Sequence, residues 1–183
     1  DLIAIHVDHG LQGASSQWAA HCVRYAKDLR VRCEVVVLDG QVTRGMSIEE
    51  WARNERYREF KARIDDRTCV LTAHHLDDHV ETVLHNAMRG SGPHGLAGIR
   101  PWQRFGNGYL ARPLLRCTKT ELLAYAERSG LQWIEDPSNA DERYTRNRIR
   151  RRMVPTLETE FPGVVGNLQR LADVQAQLAD SID

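Results

Sequence analysis

The feature that most restricts how this chain can fold is an alternation of two periodicities. Three short apolar runs, LIAIHV, VRCEVVVL and TCVLTA, are each followed by a segment whose apolar residues recur at three-and-four spacing. Short apolar runs bounded by polar turns read as strands, and three-and-four spacing as one buried helix face. Ser15 or Ser16 is placed to cap a first helix carrying Trp18, Cys22, Tyr25, Ala26 and Leu29. After a glycine-containing linker, Ser47 and Glu50 form an S-x-x-E box that opens a second helix running to about Ile64. Asp78 and Glu81 make a third such pair, ahead of Val80, Val83, Leu84, Ala87 and Met88, with Gly90 as the stop. Strand then helix, three times over, predicts an α/β fold: a Rossmann-like parallel sheet with helices on both faces and ligands beyond the carboxyl ends of the strands.

The polar turns DHG, after the first run, and HHLDD, after the third, lie on that rim. Between Met88 and Arg112 the segment RGSGPHGLAGIRP has neither period and reads as a loop. Thr118 and Glu121 cap a further helix ending near Gly130. DPSNADERYTRNRIRRR begins as a turn and passes into a basic helix, and a last helix carries Val165, Leu168, Leu171, Ala172, Gln175 and Leu178.

With 183 residues, 42% of them hydrophobic and 27% charged, the chain has the makeup of an ordinary globular protein with one main core. No apolar run reaches the roughly 18 residues of a membrane span and no signal segment opens the chain, so the expected place is the cytoplasm and no membrane partner is expected. The four cysteines are far apart in sequence and form no CxxC pair, which argues against a disulfide framework or a structural zinc. Formal net charge is zero, yet six arginines (Arg143, Arg146, Arg148, Arg150, Arg151 and Arg152) fall within ten residues. Such a patch neutralises phosphates of a nucleic acid; the plainer alternative is a solvated helix face balanced by Asp136, Asp141 and Glu142.

HHLDDHVET, residues 74 to 82, is the densest chemistry in the chain. Backbone amides at a strand-to-helix turn favour anions. The carboxylates of Asp77, Asp78 and Glu81 can hold magnesium or a substrate ammonium. Taken singly, Asp78 and Glu81 are equally well read as a capping pair, and His6, Asp8 and His9 as ordinary hydrogen-bonding residues at a strand end. Arg53, Glu55 and Arg56 on the second helix read as an ion-paired face or as substrate contacts.

The ordered motifs HVDHGL, GMSIEEWARNERYREF, LTAHHLDDHVET, RGSGPHGLAGI, RPLL, WIEDPSNADERYTRNRIRR and MVPTL span nearly the whole chain. Together they resemble tRNA(Ile)-lysidine synthetase, a family within the PP-loop ATP pyrophosphatases. The resemblance implies an enzyme that uses ATP and Mg2+ to adenylate the wobble cytidine of an isoleucine tRNA with a CAU anticodon. The amine of free L-lysine then displaces AMP, forming lysidine. By motif position it implies reaction-centre roles for His74, Asp78, Glu81 and Arg146, with Asp78 also a metal ligand. His6, His9 and Ala73 would line the nucleotide pocket, Arg112 would meet a phosphate, and Arg53, Arg148, Arg150 and Arg151 would face substrate or tRNA. Residues 1–135 would form the catalytic domain and residues 136–183 a basic helical segment leading to tRNA-binding domains; a homodimer is compatible with it.

One departure stands out. The family's pyrophosphate-gripping SGGxDS loop does not occur in this sequence. The expectation is therefore an N-terminally truncated chain, lacking that loop and the family's C-terminal domains, and inactive as a ligase by itself. Three other readings compete: tRNA thiolation, whose cluster-binding cysteine pairs are missing; a metal-dependent phosphoesterase using HVDHG and HHLDDH as ligands; and a noncatalytic tRNA-binding remnant.

Overall fold

The structure is a computed structural model and describes residues 1–10, 12–38, 40, 42 and 45–182, with the side chain of Glu49 outside that description; part of the expected linker after VRCEVVVL also lies outside it. The chain divides into two compact units, Asp1–Arg67 and Thr68–Asp183. The functional division expected after residue 135 falls inside the second.

In the first unit, β1 (Ile3–Asp8) and β2 (Arg32–Val37) pair in parallel, from Ile3 opposite Arg32 to Asp8 opposite Val37. Parallel neighbours need a crossover, and α1 (Ser15–Asp28) supplies it. The serines do not cap this helix: Ala14 holds the N-cap and has no side-chain oxygen to offer. In α2 (Ile48–Lys61) the S-x-x-E box is half realised, since the Ser47 hydroxyl accepts from the Glu50 N–H at 3.2 Å. The helix stops three residues before Ile64, which is still buried with Val7, Ala19, Ala26, Trp51 and Phe60.

In the second unit the sheet is mixed. β5 (Gly108–Ala111) lies between β3 (Cys69–Leu71) and β4 (Trp102–Phe105), parallel to the former and antiparallel to the latter. The antiparallel β4–β5 hairpin adds to the expected parallel pairing, and Phe105-Gly106-Asn107-Gly108 makes its turn, with Gly106 at φ +56°. β3 leads into α3 (Leu76–Met88), and the expected irregular loop contains the short helix α4 (Pro93–Leu96), with Pro93 in its first turn. After α5 (Lys119–Arg128) come a 3-10 turn (Pro137–Ala140), α6 (Thr145–Arg148), a π-helical turn (Ile149–Met153), α7 (Val154–Glu160) and α8 (Val164–Ile182). Val80, Val83, Leu110 and Ala179 are fully buried and Ile149 and Ala172 nearly so. Each large member of such a core contributes on the order of 2 kcal/mol. α8 packs on α3 and α4. It does so through Ala172 and Ala179, while Leu171 and Leu178, expected on its buried face, are exposed. Small side chains let two helix backbones approach; the leucines are left on the outside.

Candidate functional site: the acidic junction after β3

β3 ends at Leu71, and the next residues place one titratable group after another at the start of α3. The helix opens earlier than the Asp78–Glu81 spacing predicts. His75 is the N-cap and Leu76 the first helical residue, so Asp78, not Glu81, turns back to the cap and accepts from the His75 N–H at 3.1 Å. Glu81 is thereby freed from the capping role and points into the unit, 2% exposed.

A carboxylate so deeply buried needs a partner. Arg150, in the π-helical turn, donates through Nε to Glu81 Oε1 at 2.5 Å and through Nη2 to Glu81 Oε2 at 3.0 Å. Its Nη2 also reaches Asp78 Oδ1 at 3.0 Å. This is a two-pronged guanidinium–carboxylate fork with a second acid attached, the strongest common form of side-chain ion pair. Burial pushes the Glu81 carboxyl above its usual range, and Arg150 works against that. Arg146, expected at the reaction centre, donates to Thr82 Oγ1 at 3.3 Å and also lowers the Glu81 pKa through its charge. Arg150, expected to face tRNA, is instead the cation closest to the acids: Arg146 and Arg150 sit one turn apart, and the wider π turn aims the second of them inward.

Asp77 is tied elsewhere. It accepts from the Lys119 N–H at 2.8 Å, and the His75 imidazole lies 3.4 Å away, which joins the start of α5 to the start of α3. His74 Nδ1 lies 2.9 Å from Thr72 Oγ1, and Ala73 beside it is exposed. His79 is buried, and its Nδ1 accepts from the Ile99 N–H at 3.1 Å, which fixes the proton on Nε2 when the ring is neutral. It pins the glycine-rich segment to α3, a role its place in HHLDDH did not disclose.

Arg112 is 5% exposed and donates to the Arg100 carbonyl at 2.6 Å and to Gln103 Oε1 at 3.2 Å. Its Nη1 thus braces the chain beside β4, while its buried Nε has no hydrogen-bond partner. In the first unit, Asp8 accepts from the Gly10 N–H at 2.8 Å and so shapes the turn after β1. His6 is half-buried on β1. His9 meets Trp51 edge-on, and its buried Nδ1 has no hydrogen-bond partner. Burial first, and Arg56 second, push its pKa below the usual range. Arg53 lies 4.6 Å over the Tyr57 ring on α2.

Asp78, the expected metal ligand, is hydrogen-bonded at both oxygens, by the His75 N–H and by Arg150. No three His, Cys, Asp or Glu side chains come together to hold a metal among the described residues. The basic run is also less open than its sequence implies. Arg143 pairs with Asp141 at 2.7 Å and Arg152 with Glu142, and Arg151 donates to the Ala140 carbonyl at 3.1 Å. Arg148 is exposed and bonds to its neighbour Thr145.

Parallel strand pairs with helical crossovers, and polar junctions after β1 and β3, define an α/β protein of the class that binds ligands beyond the carboxyl ends of its strands. Residues 1–157 match the PP-loop domain model, and the chain belongs to that family. Among curated relatives it is 45% identical to the tRNA(Ile)-lysidine synthase of Methylococcus capsulatus and 43% identical to that of Pseudomonas aeruginosa, over 98% and 97% of this chain. It spans about two fifths of the length of each, 41% in both cases. Among solved structures it resembles the U34-tRNA thiolase NcsA from Methanococcus maripaludis with its [4Fe-4S] cluster, at a TM-score of 0.73 and 20% identity, over 94% of this chain and 60% of that one. At that identity the likeness is one of fold. No helix among the described residues is long and apolar enough to cross a membrane.

Proposed function

We propose that this chain carries the amine-receiving side of lysidine formation and, without the SGGxDS loop that would grip the pyrophosphate, is not an active ligase by itself. In this reading ATP adenylates the wobble cytidine of an isoleucine tRNA with a CAU anticodon, and the amine of free L-lysine displaces AMP. The observation that carries it is the Asp78–Glu81 pair: two carboxylates at the start of α3, one of them buried, that already hold a cation by fork-like hydrogen bonds. A substrate ammonium presents the same charge and donors, and fixing it there orients its amine. Asp78 and Glu81 are assigned to that ammonium, Arg146 to charge near the reacting groups, and His74 to the edge of the site.

ATP supplies the activated leaving group. In the first unit, the unpartnered buried His9 Nδ1 and the turn shaped by Asp8 fit a nucleotide's hydrogen-bonding edge, with His6 alongside; in the second, exposed Ala73 at the end of β3 leaves room for backbone approach. Arg112 is assigned to a phosphate, with its Nη1 held by the Arg100 carbonyl and Gln103 and its Nε without a hydrogen-bond partner. Magnesium enters only as the usual companion of ATP, with no protein ligand assigned. Arg53, Arg148 and Arg151 are assigned to substrate or tRNA, residues 136–183 to the tRNA side of the molecule, and the place of action to the cytoplasm; the homodimer is checked by sedimentation.

The test is calorimetric binding of L-lysine in the presence of ATP and an anticodon stem-loop of the isoleucine tRNA, set beside Glu81→Gln. The expected result is lysine binding that falls at least tenfold in the variant. Binding untouched by Glu81→Gln removes the reading.

A further inference from the structure

Arg150 occupies the place the proposed function gives to the substrate's ammonium. Its three hydrogen bonds satisfy Glu81 and Asp78 together, and Glu81 has almost no contact with solvent to fall back on. The guanidinium and an incoming ammonium therefore compete for the same oxygens, and neither leaves without the other arriving, since an uncompensated buried carboxylate is costly.

Two further observations bear on how the exchange is driven. Arg150 lies in the run Arg148, Arg150, Arg151, Arg152, whose other members are exposed, and its own side chain is 29% exposed, so it is reachable from the basic surface. It also lies in the π-helical turn Ile149–Met153, where the Val154 N–H reaches back five residues to the Ile149 carbonyl. π turns are single-residue insertions in an α-helical path and cluster at functional sites. Resetting one to α geometry shifts the register by one residue and swings the side chains by about 100°.

We propose that Arg150 is an internal counter-cation for the lysine site, and that capture of its guanidinium by an RNA phosphate opens the Asp78–Glu81 pair to the substrate ammonium. This rests on the function proposed above and deepens it: it makes lysine binding conditional on RNA. Because a coupling between two ligands is reciprocal, RNA raises the affinity for lysine by the same factor that lysine raises the affinity for RNA. A protein so built does not hold the amine until the base that will receive it is present.

The experiment measures L-lysine binding to the whole chain by calorimetry, with ATP, with and without the anticodon stem-loop, for the wild type, Arg150→Ala and Arg150→Lys. In the wild type the RNA is expected to raise lysine affinity at least tenfold. In Arg150→Ala, lysine affinity without RNA is expected to rise to within about threefold of the RNA-bound wild type, and the coupling to disappear. Should Arg150→Ala fail to fold by circular dichroism, Arg150→Lys carries the test, since its single-point ammonium cannot reproduce the fork; its coupling is expected to fall at least threefold. Undiminished coupling in the folded variant, or loss of lysine binding in a folded Arg150→Ala, overturns the proposal. Failure of the underlying reading looks different: the wild type then binds no lysine even with RNA, or binds it in a way Glu81→Gln does not weaken.

Discussion

At the scale of single residues, two carboxylates in the first turns of α3 behave in opposite ways. Asp77 stays partly exposed and is held well below its usual pKa by the imidazole of His75 and by the Lys119 N–H, while the same pair of charges raises the pKa of His75. The depressed Asp77 contributes stability that is present above its unfolded value of about 3.9 and is lost as pH falls through its folded value; the raised His75 contributes stability present below about 6.5 and lost as pH rises through its folded value. The stability difference between the wild type and Asp77→Asn is therefore expected to be largest between about pH 4 and 6.5 and to shrink on both sides. Urea unfolding midpoints across that range check it, with the His75 titration followed by NMR: the histidine pKa falls in Asp77→Asn. Glu81 offers the contrasting case. Glu81→Ala removes the fork and leaves Arg150 half-buried with Asp78 alone, at an expected cost of about 2 kcal/mol in denaturant unfolding. The sequence made the acidic cluster visible through its composition but left capping and substrate roles open for Asp78 and Glu81. What separates them is the earlier helix start at Leu76, which depends on the His75 backbone conformation and not on any residue pattern.

At the scale of elements, boundaries written as side-chain chemistry were the most legible. Thr118 and Glu121 form the full reciprocal box, with Glu121 N–H to Thr118 Oγ1 at 3.1 Å and Thr118 N–H to Glu121 Oε2 at 2.7 Å. Thr118→Ala is expected to lower stability by about 1 kcal/mol, read as a fall in melting temperature of a few degrees. Glycines at stops were equally readable, Gly90 and Gly130 both taking positive φ. The faces of α8 were not, because three-and-four spacing marks a stripe of apolar residues without saying which edge of the stripe meets a neighbour. The π turn was invisible for a related reason: RIRRR carries no signature that distinguishes an α register from one with an inserted residue. The glycine-rich segment hides another packing constraint. Gly98 sits at φ +63°, and a Cβ there would fall 2.8 Å from His79 Cε1 and 2.8 Å from Val83 Cγ2. Gly98→Ala is expected to cost about 2 kcal/mol or more, from backbone strain and from displacing the His79 anchor; thermal unfolding measures it, and a neutral substitution would show that the segment is not pinned to α3.

At the scale of the whole molecule, net charge is a poor guide to what the protein binds. The chain balances 25 basic against 25 acidic side chains, so no long-range field draws it to RNA; whatever attraction exists comes from the run between Arg143 and Arg152. The structure thins that run. Arg143 and Arg152 are paired to Asp141 and Glu142, and Arg150 is turned inward to Glu81 and Asp78. The exposed guanidiniums of the run with no carboxylate ion pair among their described contacts are those of Arg146, which bonds to Thr82 beside the acidic site, and Arg148, which is left for a phosphate. Each phosphate contact adds roughly 0.7 to 0.9 to the slope of log affinity against log salt. Arg148→Ala is therefore expected to lower that slope by nearly one and to weaken RNA binding to a similar extent whatever the loop sequence, since phosphate contacts position without reading bases. Arg143→Ala, by contrast, deletes a guanidinium already neutralised by Asp141 and is expected to change the slope by less than about 0.3. Fluorescence anisotropy with the anticodon stem-loop between low and moderate salt separates the two. Equal slopes for both variants would mean that the ion pairs at Asp141 and Glu142 give way to RNA, and that the arginines act as one patch after all.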